Sequence, residues 1–142
     1  LMESQESMYP STMPVEMTPI DPAALAEICQ MVGDDSYELL VEMIDGYFQE
    51  APPLLQSILR AVHEGDAAGL ETAAHTLKSL STTLGAIRLG QMCQHLETLG
   101  YQTALHLAAD YLPQLETEFA LVVQALEAER CQAQRLSENS QQ

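Results

Sequence analysis

The strongest constraint on the fold is a stripe of apolar residues, Leu70, Ala73, Leu77, Leu80 and Leu84, spaced by steps of 3, 4, 3 and 4. A helix turns about 100° per residue, so these side chains share one face, and the spacing is that of a helical-bundle seam. Leu89, Met92, Leu96 and Leu99 repeat it, as do Leu112, Leu115, Phe119, Val122 and Leu126. Tyr37, Leu40, Val41, Ile44 and Phe48 form another such face, resumed at Leu54, Leu55, Ile58, Leu59 and Val62. No segment competes with the alternating period of a strand.

Punctuation between the stripes sets the helix boundaries. Asp21-Pro22 is a helix start, a capping acid before a proline in the first turn, and that helix is expected to end near Gly33. The next begins around Asp35–Ser36, is kinked or divided at Pro52-Pro53, and stops at Gly65. Asp66 caps the helix that runs to about Leu84, Gly85 breaks the chain, and the following helix ends at Gly100. Pro113 kinks or starts the last one. The expected fold is all-α: an antiparallel four-helix bundle core with an additional short N-terminal helix. Residues 1–17 read as a flexible tail or linker, 18–131 as the domain and 132–142 as a flexible C-terminal tail. The chain opens on Leu1, which fits a fragment or an expression scar.

Composition narrows the function. With no Trp and 2 Phe, the core is built from aliphatic residues and Met, a helical palette. Five basic against 21 acidic residues give a charge of −16, which repels nucleic acid and anionic lipid. Cys29, Cys93 and Cys131 are far apart, odd in number and without a Cys-x-x-Cys pair, as in a reducing, cytoplasmic compartment and unlike a zinc site or a disulfide framework. No apolar run approaches membrane-spanning length.

His75 departs from the stripe. It falls roughly opposite the apolar face of its helix, so it is not a core histidine; on periodicity alone it is either a working residue or an ordinary surface one. Ala68, Ser79 and Thr82 share its side and are small, leaving room for another protein to reach the ring. Lys78, the only lysine, flanks that face one turn on. Neutral imidazole is a nucleophile near neutral pH, able to take a phosphoryl group as a phosphoramidate. Lys78 would then face the phosphoryl oxygens, an attraction of about 1 kcal/mol in water and about 4 at an effective dielectric of 20. Glu71, four residues before His75, is placed either to contact the ring or to remain solvated surface.

The stretch His75-Thr76-Leu77-Lys78-Ser79 with the later Gly85 resembles the signature of histidine-containing phosphotransfer domains, H-x-x-K-G followed by a Gly. Asp21-Pro22-Ala23-Ala24-Leu25, Tyr47-Phe48-Gln49-Glu50-Ala51-Pro52, Gly65-Asp66, Cys93-Gln94-His95-Leu96-Glu97 and Leu115-Glu116-Thr117-Glu118-Phe119 look like other segments of that family, over roughly residues 20–130. The resemblance implies a phosphorelay carrier. His75 would accept a phosphoryl group from a receiver-domain aspartate and pass it to another receiver, with Lys78 neutralising its charge and Ala68, Glu71, Ser79, Thr82 and Gly85 at the docking surface. Ser79 stands where the family usually has Gly, and transfer is expected to survive it. No cofactor is implied, Mg²⁺ belonging to the receiver. A hybrid sensor kinase is a further implied partner, and a cytoplasmic monomer, either free or at the end of a membrane-anchored kinase, fits the role.

Other readings have less to rest on. A chemotaxis-type phosphoacceptor charged by an ATP-bound kinase domain has a related bundle, and an inactive interaction bundle would leave His75 idle. No Gly-rich nucleotide loop is present. A ferritin-like metal site needs Glu-x-x-His, but Arg60, Thr72, Met92 and Thr103 precede the four histidines by three. Cys93 and His95, two apart, point about 200° from each other and make no dyad. His63, His95 and His106 read as ordinary surface or boundary residues, and Met31, Met43 and Met92 as core filler.

Overall fold

The computed structural model describes residues 18–32 and 36–140. Five helices follow in order: α1 (Pro22–Val32), α2 (Ser36–Glu64), α3 (Ala67–Thr83), α4 (Ile87–Tyr101) and α5 (Leu105–Ser140). Among the described residues there is no strand. α2 packs on α3, α3 on α4, α4 on α5 and α5 back on α2, which closes a four-helix bundle, while α1 lies against α2. The stretch read as a tail over residues 1–17, and Gly33 at the end of α1, lie outside the described residues.

The stripes meet in one core. Ile44, Ile58, Leu70, Leu77, Leu89, Leu96, Leu115, Val122 and Leu126 are fully or almost fully buried there. Each is worth about 1.5–3 kcal/mol removed from water. Met92 is buried and Met43 packs at the core's edge. Tyr47 of α2 reaches Ser81 of α3 through the core, its hydroxyl 2.8 Å from the serine oxygen. Burial pushes the Tyr47 phenol up to about 12, so it stays neutral there.

Local chemistry sets the boundaries of α3. Gly69 N donates to Asp66 Oδ1 at 2.9 Å, the expected cap. At the other end Gly85 takes φ +86°, the left-handed region open to glycine, and its carbonyl accepts from Asp21 N at 2.8 Å. A Cβ there would stand 2.9 Å from Ala24 Cβ and from Asp21 O. Gly85 is thus buried beneath the start of α1. That corrects its placement at a docking surface: the residue serves the turn, and its neighbours cover it.

The prolines neither divide α2 nor start α5. α2 runs unbroken through Pro52 and Pro53, and α5 through Pro113. All three lie on exposed positions, where the lost backbone hydrogen bonds face solvent. α5 also starts eight residues before Pro113 and continues past 131 to Ser140. The polar end therefore extends the helix, with Ala133 buried and Gln132 and Leu136 beside Leu25 and Leu40. Arg130 holds that end to α2 through Asp45, with contacts of 2.6 and 3.1 Å. The arginine's hydrogen bond keeps the Asp45 carboxyl below the usual carboxylate range.

Candidate functional site

α3 carries its buried residues Leu70, Ala73, Ala74, Leu77 and Ser81 on one side, and this turns His75 outward. The His75 side chain is 60% exposed. Its ring is nevertheless held: Nδ1 lies 3.0 Å from Oε2 of Glu97 on α4. The other carboxylate oxygen, Oε1, accepts from Lys78 Nζ at 2.9 Å, and the same ammonium donates to Gln94 Oε1 at 2.7 Å. One carboxylate thus joins the histidine and the lysine. The hydrogen bond from Lys78 holds the Glu97 carboxyl below the usual carboxylate range; that from His75 adds to it, against a partial burial that opposes it.

The arrangement fixes the tautomer. An ionised carboxylate only accepts, so the proton of the neutral ring sits on Nδ1. Nε2 keeps its lone pair, and the two ring nitrogens direct their bonds well apart. Nε2 therefore points away from Glu97.

The helices must be close for this network to form. Gly100 of α4 allows it, because a Cβ there would stand 2.9 Å from Glu71 N and 3.0 Å from Ala67 O of α3. Glu71 itself is half-buried at this contact, and no hydrogen bond joins it to the ring. The ring contact open to it in the sequence is made by Glu97 instead. Glu97 reaches Nδ1 from α4, across the contact between the two helices. Ala68, Ser79 and Thr82 are exposed on the same side as His75, as their spacing requires. Thr82 spends its hydroxyl on the Lys78 carbonyl at 2.7 Å.

Other reactive types lie elsewhere. Cys93 is buried, and burial pushes its thiol up to about 12, which leaves it a poor nucleophile. His95 stacks at a tilt on Tyr111 with ring centroids 4.8 Å apart. Among the described residues no three His, Cys, Asp or Glu side chains are grouped to hold a metal ion, and no helix is long and apolar enough to cross a membrane.

Glu97 and Gln94 are the partners of His75 and Lys78 that periodicity does not point to. They lie in the Cys93–Glu97 segment that resembles the family, and their i, i+3 spacing puts both on one edge of α4. Which edge faces His75 depends on how α4 packs, and a single sequence does not encode that legibly.

A helical bundle that presents a held, outward-facing imidazole beside a lysine is an arrangement suited to carrying a transferable group on histidine. The comparisons agree. The Hpt domain family model matches residues 42–136, and the chain belongs to that family of histidine-containing phosphotransfer domains. The crystal structure of histidine-containing phosphotransfer protein B from Pseudomonas aeruginosa PAO1 is similar, with a TM-score of 0.73 and 28% identity, covering 82% of this chain and 97% of that one. Multistep phosphorelay regulator 1 of Schizosaccharomyces pombe is 25% identical over 81 residues, 57% of this chain. The matched part is 28% of that relative's length. Membership places the chain in phosphorelay phosphotransfer, where Hpt domains act as carriers that work with response-regulator receiver domains.

Proposed function

We propose that His75 is the phosphoryl acceptor of this domain and that Nε2 is the atom that carries the group. The observation that bears this reading is the 3.0 Å contact between His75 Nδ1 and Glu97, which leaves Nε2 unprotonated on an exposed ring. The Nε2 lone pair attacks the phosphorus of an aspartyl phosphate on a receiver. The N–P bond forms as the P–O bond to the aspartate breaks, and the leaving carboxylate takes that electron pair. The ring becomes positively charged, with its proton on Nδ1 against Glu97. Passing the group to a second receiver reverses these steps.

Glu97 acts through the ring and is a positioning residue. Lys78 lies beside it and supplies positive charge when the phosphoryl dianion arrives. Ala68, Glu71, Ser79 and Thr82 form the floor on which the partner rests. In this reading the chain is a carrier with no nucleotide or metal site of its own, Mg²⁺ resides on the receiver, and the domain works as a cytoplasmic monomer with receivers or a hybrid sensor kinase.

The test is transfer from a phosphorylated receiver domain, followed by intact mass. The expected result is an acid-labile gain of one phosphoryl group, absent in a folded His75→Gln protein. A gain that persists in His75→Gln, or none from any of several receivers, would overturn the reading; gain only from ATP and a kinase would favour the chemotaxis-type alternative.

A further inference from the structure

The two sides of the His75 ring differ. On the α4 side stand Glu97, Lys78 and Gln94, already bonded to one another. On the α2 side α3 presents the hydroxyls of Thr72, Thr76 and Ser79, and Thr72 and Thr76 line a groove with Ser57, Arg60 and Glu64 of α2. At 100° per residue Ser79 lies about 40° round α3 from His75, and Lys78 about 60° the other way. With Nδ1 directed at Glu97, a group on Nε2 emerges away from α4, toward the hydroxyl side.

The hydroxyls there are not equivalent. Thr76 donates to the Thr72 carbonyl at 3.1 Å, and beyond His75 Thr82 and Thr83 donate to the Lys78 and Ser79 carbonyls at 2.7 and 2.9 Å. Among the described residues, the hydroxyls of Ser79 and Thr72 make no hydrogen bond. Thr72, three residues before His75, is a neighbour of the ring on the helix surface. Ser79 follows by four residues, so its side chain leans back over the turn that carries the ring. It brings an uncommitted donor to the side where the phosphoryl group emerges.

We propose that the Ser79 hydroxyl is a direct ligand of the phosphoryl group on His75 Nε2, donating to one of its oxygens and lengthening the life of the phosphohistidine. The proposal rests on His75 being the carrier. Glycine, usual at this position in the family the sequence resembles, offers no such donor. Ser79 thus tunes the carrier toward storage, while Lys78 serves the opposite edge of the group. Ser79 touches the transferred group and takes no proton from it.

The experiment loads wild type, Ser79→Ala and Ser79→Gly with small-molecule phosphoramidate at neutral pH. It follows each phosphohistidine by ³¹P resonance position and by half-life after the reagent is removed. One charge-assisted hydrogen bond lost shortens the half-life by about threefold to tenfold. Both variants should show that loss alike, with a displaced ³¹P resonance, since both lack the hydroxyl. Equal half-lives and unmoved resonances in loaded protein would overturn the role of Ser79 and leave the carrier intact. A change in Gly alone would overturn it too, by showing that room and not hydrogen bonding matters. Failure of wild type to load, or loading that survives His75→Gln, would overturn the carrier reading itself.

Discussion

At the scale of the residue, two side chains of α3, His75 and Lys78, share one carboxylate of α4, that of Glu97. Glu97 fixes which nitrogen of His75 is free, so Glu97→Ala should slow phosphoryl acceptance by letting the ring turn and the proton move to Nε2. Glu97→Gln keeps an acceptor oxygen for Nδ1 but loses the charge, and should retain more activity than Ala in a single-turnover assay; equal loss in the two would refute tautomer control. Lys78→Ala removes an attraction of roughly 1 kcal/mol at this half-exposed site, so transfer should slow by about fivefold without stopping. An unchanged rate would contradict its charge role. His75 and Lys78 were legible: one is a histidine opposite the apolar stripe of its helix, the other the only lysine, flanking it one turn on. Glu97 was not, since its importance lies in a contact 22 residues away in sequence across two packed helices. Spacing leaves Glu71 open as a ring contact or as surface, and the Nδ1 contact is made by Glu97.

At the scale of the element, the α3–α4 contact sets the site. Gly100→Ala drives a methyl against the α3 backbone near Glu71, and near a helix end it gains little in helix propensity. Overpacking of this kind should cost about 1–2 kcal/mol and weaken the His75–Glu97 bond. Thermal melts and the ¹⁵N shifts of the imidazole would report both; a neutral melt with an unmoved ring would refute the close-approach argument. Tyr47→Phe removes the partner of the buried Ser81 hydroxyl and should cost about 1 kcal/mol, lowering the melting temperature by several degrees. Helix identities, the Asp66 cap and the Gly85 break were readable, because stripe and punctuation coincide there. Pro52-Pro53 does not divide α2 and Pro113 does not start α5, because an exposed proline is tolerated where the opposite face of the helix is well packed. Gly85 misled: its chain break was visible, but the α1 start that covers it was not.

At the scale of the molecule, the balance of −16 and the bundle topology act together. The depressed carboxyls of Glu97 and Asp45 contribute stability that is complete above their unfolded values and is lost as pH falls through the folded ones. The melting temperature should therefore drop between about pH 5 and pH 3, and Glu97→Gln should flatten part of that slope. A slope unchanged in the variant would contradict the linkage. The polar sequence at the end of α5 suggests a tail, yet polar residues suit a helix with one side in water and one narrow seam at Ala133. Truncation after residue 131 should lower stability by about 1 kcal/mol, seen as a modest loss of melting temperature; no loss would show that the extension is not bound to the bundle.

The most direct test of the central claim is to locate the phosphoryl group by long-range ¹H–¹⁵N correlation spectra of the phosphorylated, ¹⁵N-labelled protein. The account predicts a single modified imidazole, His75, with phosphorus bonded to Nε2 and the proton on Nδ1. Phosphorus on Nδ1, or on any of the other three histidines, would contradict it.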